Sequence, residues 1–174
     1  MSDRTGIDLQ LVETVTSLVT AQMAKSHSET DTDIDFFDRQ IHSIIGDAGD
    51  DFSSATILGS TIGFLTALVH HVSDETDRTQ LDIVNPIVEA LDRHPDRPAA
   101  LIVARQLLFA FDSARAAGRP GPEFDPADCW TDFTDATAMT LRIIDGLMIE
   151  LAAAMDIAPM DMLQVFFGTN AVEG

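Results

Sequence analysis

Apolar residues recur at intervals of three and four along almost the whole chain, which is the spacing of amphipathic helices. The first such segment, about residues 7–25, sets Leu11, Val12, Val15, Leu18, Val19 and Met23 on one stripe. A polar stretch, "SHSETDT", interrupts it. Ile34, Phe37, Ile41, Ile44 and Ile45 then resume the pattern up to Gly46, a residue suited to a helix end. Leu81, Val84, Ile87, Val88 and Leu91 form another stripe. Asn85-Pro86 inside it reads as cap and first turn, which predicts a kink or two short helices. Asp96 is placed to cap a helix that begins near Pro98 and runs through "AALIVARQLLFAFDSARAA" to Gly118. The Pro- and Gly-rich stretch 118–126 predicts a surface loop. At the end of the chain, "APMDMLQVFFG" predicts a short helix opened by Pro159 and closed by Gly168. It is apolar on nearly every face, so it is expected to dock on the rest of the chain.

Residues 140–151, "TLRIIDGLMIEL", hold two conflicting signals. Asp-Gly between apolar runs is a strong hairpin signature. Yet Trp130, Phe133, Thr137, Leu141, Ile144, Met148, Leu151 and Met155 continue in steps of three and four straight through it, and no third strand is present to support a hairpin. The pattern therefore predicts one long penultimate helix, about 126–156, with Asp125 as cap and Pro126 in its first turn. At about 1.5 Å per residue such a helix is roughly 45 Å long, more than a small domain requires. Its heptad-like seam of Leu141, Ile144, Met148, Leu151 and Met155 is a candidate dimer contact as well as a candidate core. The whole chain, 1–174, reads as a single all-α domain, a bundle of six to seven helices.

From Phe52 to Ser73 there is no charged residue, a run long enough to span a bilayer. Its many Ser, Thr and His residues are costly in lipid, so a buried central helix is expected and no membrane contact. Ile57, Phe64, Leu65, Leu68 and Val72 make one bulky side. Thr56, Gly59, Gly63, Thr66 and His70 fall on another, where small side chains leave room for a neighbouring backbone or a ligand. Two glycines inside a helix cost about 1 kcal/mol each relative to alanine, which close packing or a cavity would offset.

"DTDIDFFDRQIH", residues 31–42, places aspartates at alternate positions as a calcium loop does. The sixth position is Phe36 where that loop turns on glycine, and the twelfth is His42 where it uses a bidentate glutamate. A helix start, capped by Thr32 or Asp33 and favoured by the other aspartates at the positive end of the dipole, accounts for the same residues. Asp38 and His42 share a helix face and, with His71 from elsewhere, form a weak metal-ligand candidate set. Cys129 stands among Asp125, Asp128 and Asp132, which disfavour a thiolate, so it reads as structural.

Charge narrows the function classes. The 174 residues carry 22 Asp and 7 Glu against 9 Arg and one Lys, a formal net charge of −19. Such a field repels phosphate backbones, so nucleic-acid binding is not expected; a DNA-mimicking acidic surface is the sharper reading of the same charge. The single cysteine excludes an internal disulfide, and the first apolar residues do not resemble a secretion signal, which points to the cytoplasm. There is no phosphate-binding glycine loop, nucleophile elbow, H-E-x-x-H or E-x-x-E pattern, and no cofactor is implied. The leading expectation is a non-catalytic acidic helical bundle that acts through protein–protein contacts, as a homodimer or with another protein. The alternative is a bundle, with or without enzyme activity, that binds a small molecule or metal on the face around His70.

Overall fold

The computed structural model describes residues 2–26, 31–48, 54–119 and 129–167, and these are helical almost throughout. The elements are α1 (Ser2–Ser26), α2 (Asp31–Ala48), α3 (Ser54–Thr76), α4 (Gln80–Asp92), α5 (Arg97–Phe111), α6 (Ser113–Ala117), α7 (Cys129–Met155), a 3-10 turn at Pro159–Asp161 and α8 (Met162–Phe167). The fold is an all-α single-domain bundle with a long penultimate helix. The predicted loop 118–126 lies outside the described residues after Arg119.

α3 and α7 form the central pair. Leu65, Leu68, Val69 and Val72 of α3 are fully buried, as are Leu141, Met148 and Ala152 of α7. α1 packs on both, and α2 covers α1 from outside. On the other flank α5 packs on α7 and α3, and α4 packs on α5. Buried hydroxyls within the central pair bond back to their own helix: Thr61 Oγ1 to the Ile57 carbonyl and Thr140 Oγ1 to the Ala136 carbonyl, both at 2.8 Å. No buried side-chain polar atom among the described residues lacks a partner.

α7 runs unbroken through Asp145-Gly146, so the helical spacing prevails over the turn dipeptide. Asp145 is buried where α7 crosses the end of α1 and accepts a hydrogen bond from Ser26 Oγ at 3.0 Å. The helix stops in a Schellman motif. Asp156 takes a left-handed conformation, φ 56°, its N–H bonds the Ala153 carbonyl, and the Ile157 N–H bonds the Ala152 carbonyl at 3.0 Å.

Several boundaries differ from those read in the sequence. α2 starts at Asp31, which puts Thr32 and Asp33 inside the first turn, and it passes Gly46 to end at Ala48. Gly46 sits on the exposed side, where nothing requires a left-handed stop. α4 is one helix, with Pro86 in it. Its start is fixed six residues earlier by a capping box, Thr79 Oγ1 accepting from the Asp82 N–H while the Asp82 carboxylate accepts from the Thr79 N–H. Asp96 caps α5 as expected, accepting from the Ala99 N–H, with Pro98 in the first turn. That helix ends at Phe111 rather than Gly118. Asp112, extended at φ −151°, accepts from the Arg115 N–H and starts α6. Val12, placed on the first apolar stripe, is 59% exposed, and α3 is half-exposed along its small-residue side rather than buried all round.

Leu68→Ala removes a fully buried side chain from the α3–α7 contact and is expected to cost about 2–5 kcal/mol. Thr79→Ala, which removes only the α4 cap, is expected to cost about 1 kcal/mol. Urea unfolding followed by far-ultraviolet circular dichroism measures both.

Candidate functional site

The small-residue side of α3 faces solvent. Thr56, Gly59, Gly63 and His70 are exposed and Thr66 is half-buried. Among the described residues, a Cβ built on Gly59 or Gly63 meets no heavy atom within 4 Å, so none of the described elements packs over the stripe or encloses a cavity on it. His70 closes its lower end. Its Nδ1 lies 2.7 Å from Gln80 Nε2, and its ring packs at a tilt on Phe111, 5.3 Å between centroids. These contacts tie α3 to the start of α4 and the end of α5. By length and composition α3 would also reach across a membrane, but its bulky side is spent on α7.

The metal-ligand candidates are not brought together among the described side chains. His42 is exposed on α2. His71 is exposed on α3, where its ring meets Phe166 of α8 edge-on at 5.2 Å. The Asp38 and Cys129 side chains lie outside the described residues. No group of three His, Cys, Asp or Glu side chains capable of holding a metal occurs among those described.

The seam of α7 serves one chain. Leu141, Ile144, Met148 and Leu151 are at most 1% exposed, held against α3 and the elements around it, and Met155 alone reaches the surface. These four residues are therefore core, and the expectation that they meet a second subunit is corrected. The same spacing satisfies both roles, and α3 has taken it.

What the sequence reading missed lies on the opposite side of α7. Between α4 and α7 runs an open groove of about 380 Å³, with Ile87, Leu91, Met139, Ile143 and Leu147 as its apolar lining. Ala90 and Gly146 are also in the lining, so no bulky side chain rises from the helix at either point. Arg78, just before α4, bonds Glu150 near the end of α7 at 2.6 Å. His94 and Arg142 also line the groove. His94 Nδ1 accepts the Asp96 N–H at 3.0 Å, which leaves Nε2 as the ring's other polar atom. Asp92, its neighbour, pairs away from the groove with Arg119. Arg142 forms no hydrogen bond or ion pair with any described residue.

Charge is also unevenly placed. Residues 78–119, which contain α4, α5 and α6, hold six arginines against five carboxylates, in a chain whose net charge is −19. The groove thus borders the least acidic part of the molecule. The signal was present in α7 itself: Met139, Arg142, Ile143, Gly146, Ile149, Glu150 and Ala153 fall within about 60° of one helical direction, centred on Gly146 and opposite the seam. An arginine, two isoleucines and a glycine on an outward face are a poorer match to solvent than the aspartates used elsewhere.

No protein-family model, characterised protein or solved structure matches the chain.

Because no described residue covers Gly59 or Gly63, Gly59→Ala and Gly63→Ala are each expected to raise stability, by up to about 1 kcal/mol from helix propensity alone. Gly63→Leu is expected to leave the fold intact. A rise in the urea midpoint checks this; a fall would mean that something packs on the stripe.

Proposed function

We propose that this protein acts without catalysis, as an interaction module that receives an apolar segment of a protein partner in the groove between α4 and α7. One observation carries the reading. The groove pairs a continuous apolar lining with an outward glycine and an arginine that has no partner among the described residues. Grooves of this kind suit a docked helix, whose apolar residues enter the floor while its backbone approaches over small side chains. The groove is open along one side, whereas small-ligand sites commonly enclose most of their ligand, and this favours a macromolecular occupant. The acidic surface elsewhere argues against nucleic acid as that occupant.

A photo-crosslinking amino acid placed at Ala90, on the α4 wall, is expected to yield one discrete protein adduct in cells that make the protein. The same probe at Gly63, on the outer side of α3, should not yield that adduct. Equal adducts at both sites, or none at Ala90, would remove the groove from the account.

A further inference from the structure

We infer that the occupant is a second copy of this chain, placed by a two-fold axis at Gly146 so that the two α7 helices cross antiparallel. This rests on the reading of the groove as a protein-binding surface. The outer face of α7 is self-complementary about its centre. An antiparallel two-fold crossing at residue 146 sets position 142 against 150 and 143 against 149. Both matches are complementary. Arg142, without an ion pair among the described residues, meets the partner's Glu150. Ile149, 42% exposed in the single chain, meets the partner's Ile143, which is half-buried on the groove wall. A parallel crossing would instead oppose arginine to arginine and glutamate to glutamate.

Gly146 is what lets this crossing be close. It is exposed, and a Cβ built there meets nothing within 4 Å, so packing within the chain does not require a glycine at this point of a 27-residue helix. At the two-fold axis the residue meets itself, and the absence of a side chain on both copies allows the backbones to approach. Two chains of net charge −19 repel, and residues 78–119, which include the α4 wall of the groove, add little to that repulsion because their six arginines and five carboxylates nearly cancel. Glu150 can accept from Arg78 of its own chain and from the partner's Arg142 at once, since a carboxylate has acceptor sites for both.

The test is a charge swap read by sedimentation equilibrium at about 100 μM chain, a concentration that populates any complex of micromolar Kd. Wild-type protein is expected to sediment as a two-chain species. Arg142→Glu alone and Glu150→Arg alone each set like charges face to face, and each is expected to raise the dissociation constant by at least about tenfold. In both Glu150→Arg and the double variant R142E/E150R the new arginine faces Arg78 of its own chain, so the comparison that isolates the axis is between these two. The double variant, with opposite charges restored across the axis, is expected to dimerise at least about tenfold more tightly than Glu150→Arg. Positions 142 and 150 lie about 12 Å apart along one helix, so recovery cannot arise within a single chain. Gly146→Leu is the second variant. It is expected to keep the helical circular dichroism signal, because the site is open, and to yield monomers. Monomeric wild type overturns the proposal, as does a dimer that survives both single reversals or that the double variant fails to recover. In those cases an Ala90 adduct with a different protein would leave the groove reading standing, whereas no Ala90 adduct with any protein would remove that reading too.

Discussion

Packing between α3 and α7 is the constraint on which the rest of the structure depends. The seam of Leu141, Ile144, Met148 and Leu151 and the bulky side of α3 remove each other from water, and α1 and α5 can pack only on the surface this pair provides. Burying such side chains stabilises a fold by about 1.5–3 kcal/mol each, so this one contact supplies a large share of what opposes chain entropy. It also decides which way each helix turns its other side. Once the seam faces α3, Gly146 must face out with Arg142, Ile149 and Glu150. Once Leu65 and Leu68 face α7, Gly59 and Gly63 must face solvent.

The outward faces of the two central helices carry different implications. On α3 the stripe is small and polar, bordered at one end by His70 with Gln80 and Phe111. On α7 the outward face stands beside α4 and so becomes one wall of an apolar groove with charge at both ends. α4 is placed by packing its buried side, Ile83, Val84, Val88 and Leu91, on α5 and α3. Polar contacts add to this, Arg78 to Glu150, Gln80 to His70 and Arg115 to Asn85 at 2.7 Å, though exposed ties of this sort contribute little stability.

Fold class was legible in the sequence because period-3.6 patterning is strong in every long segment, strong enough in α7 to prevail over Asp-Gly. Local ends were less legible. Asp112 breaks a helix whose apolar pattern continues across it, and Thr79 rather than Asn85 caps α4, because a reciprocal pair with Asp82 outweighs the proline signal. The surroundings of the candidate site were less legible for a different reason. Glycine at Gly59 and Gly63 looked meaningful because glycine is costly in a helix, yet only the fold shows whether anything lies over it. The seam residues were the conspicuous part of α7, and their burial against α3 left the inconspicuous side of the same helix as the surface. The groove around His94 could not be read from the sequence because the α7 residues that line it are 45 or more positions away.

The claim at the centre of this account is that α7 has two working faces, one closing the core and one meeting a second copy around Gly146. Pulsed electron–electron resonance on a protein with Cys129→Ser and a spin label at Ala154→Cys, exposed and beside the contact face, measures it most directly. An antiparallel crossing at Gly146 places the two labelled positions about 24 Å apart along the paired helices, so a single short distance near 20–30 Å is expected. Absence of any dipolar signal between labels, or a distance well beyond that range, would contradict the account.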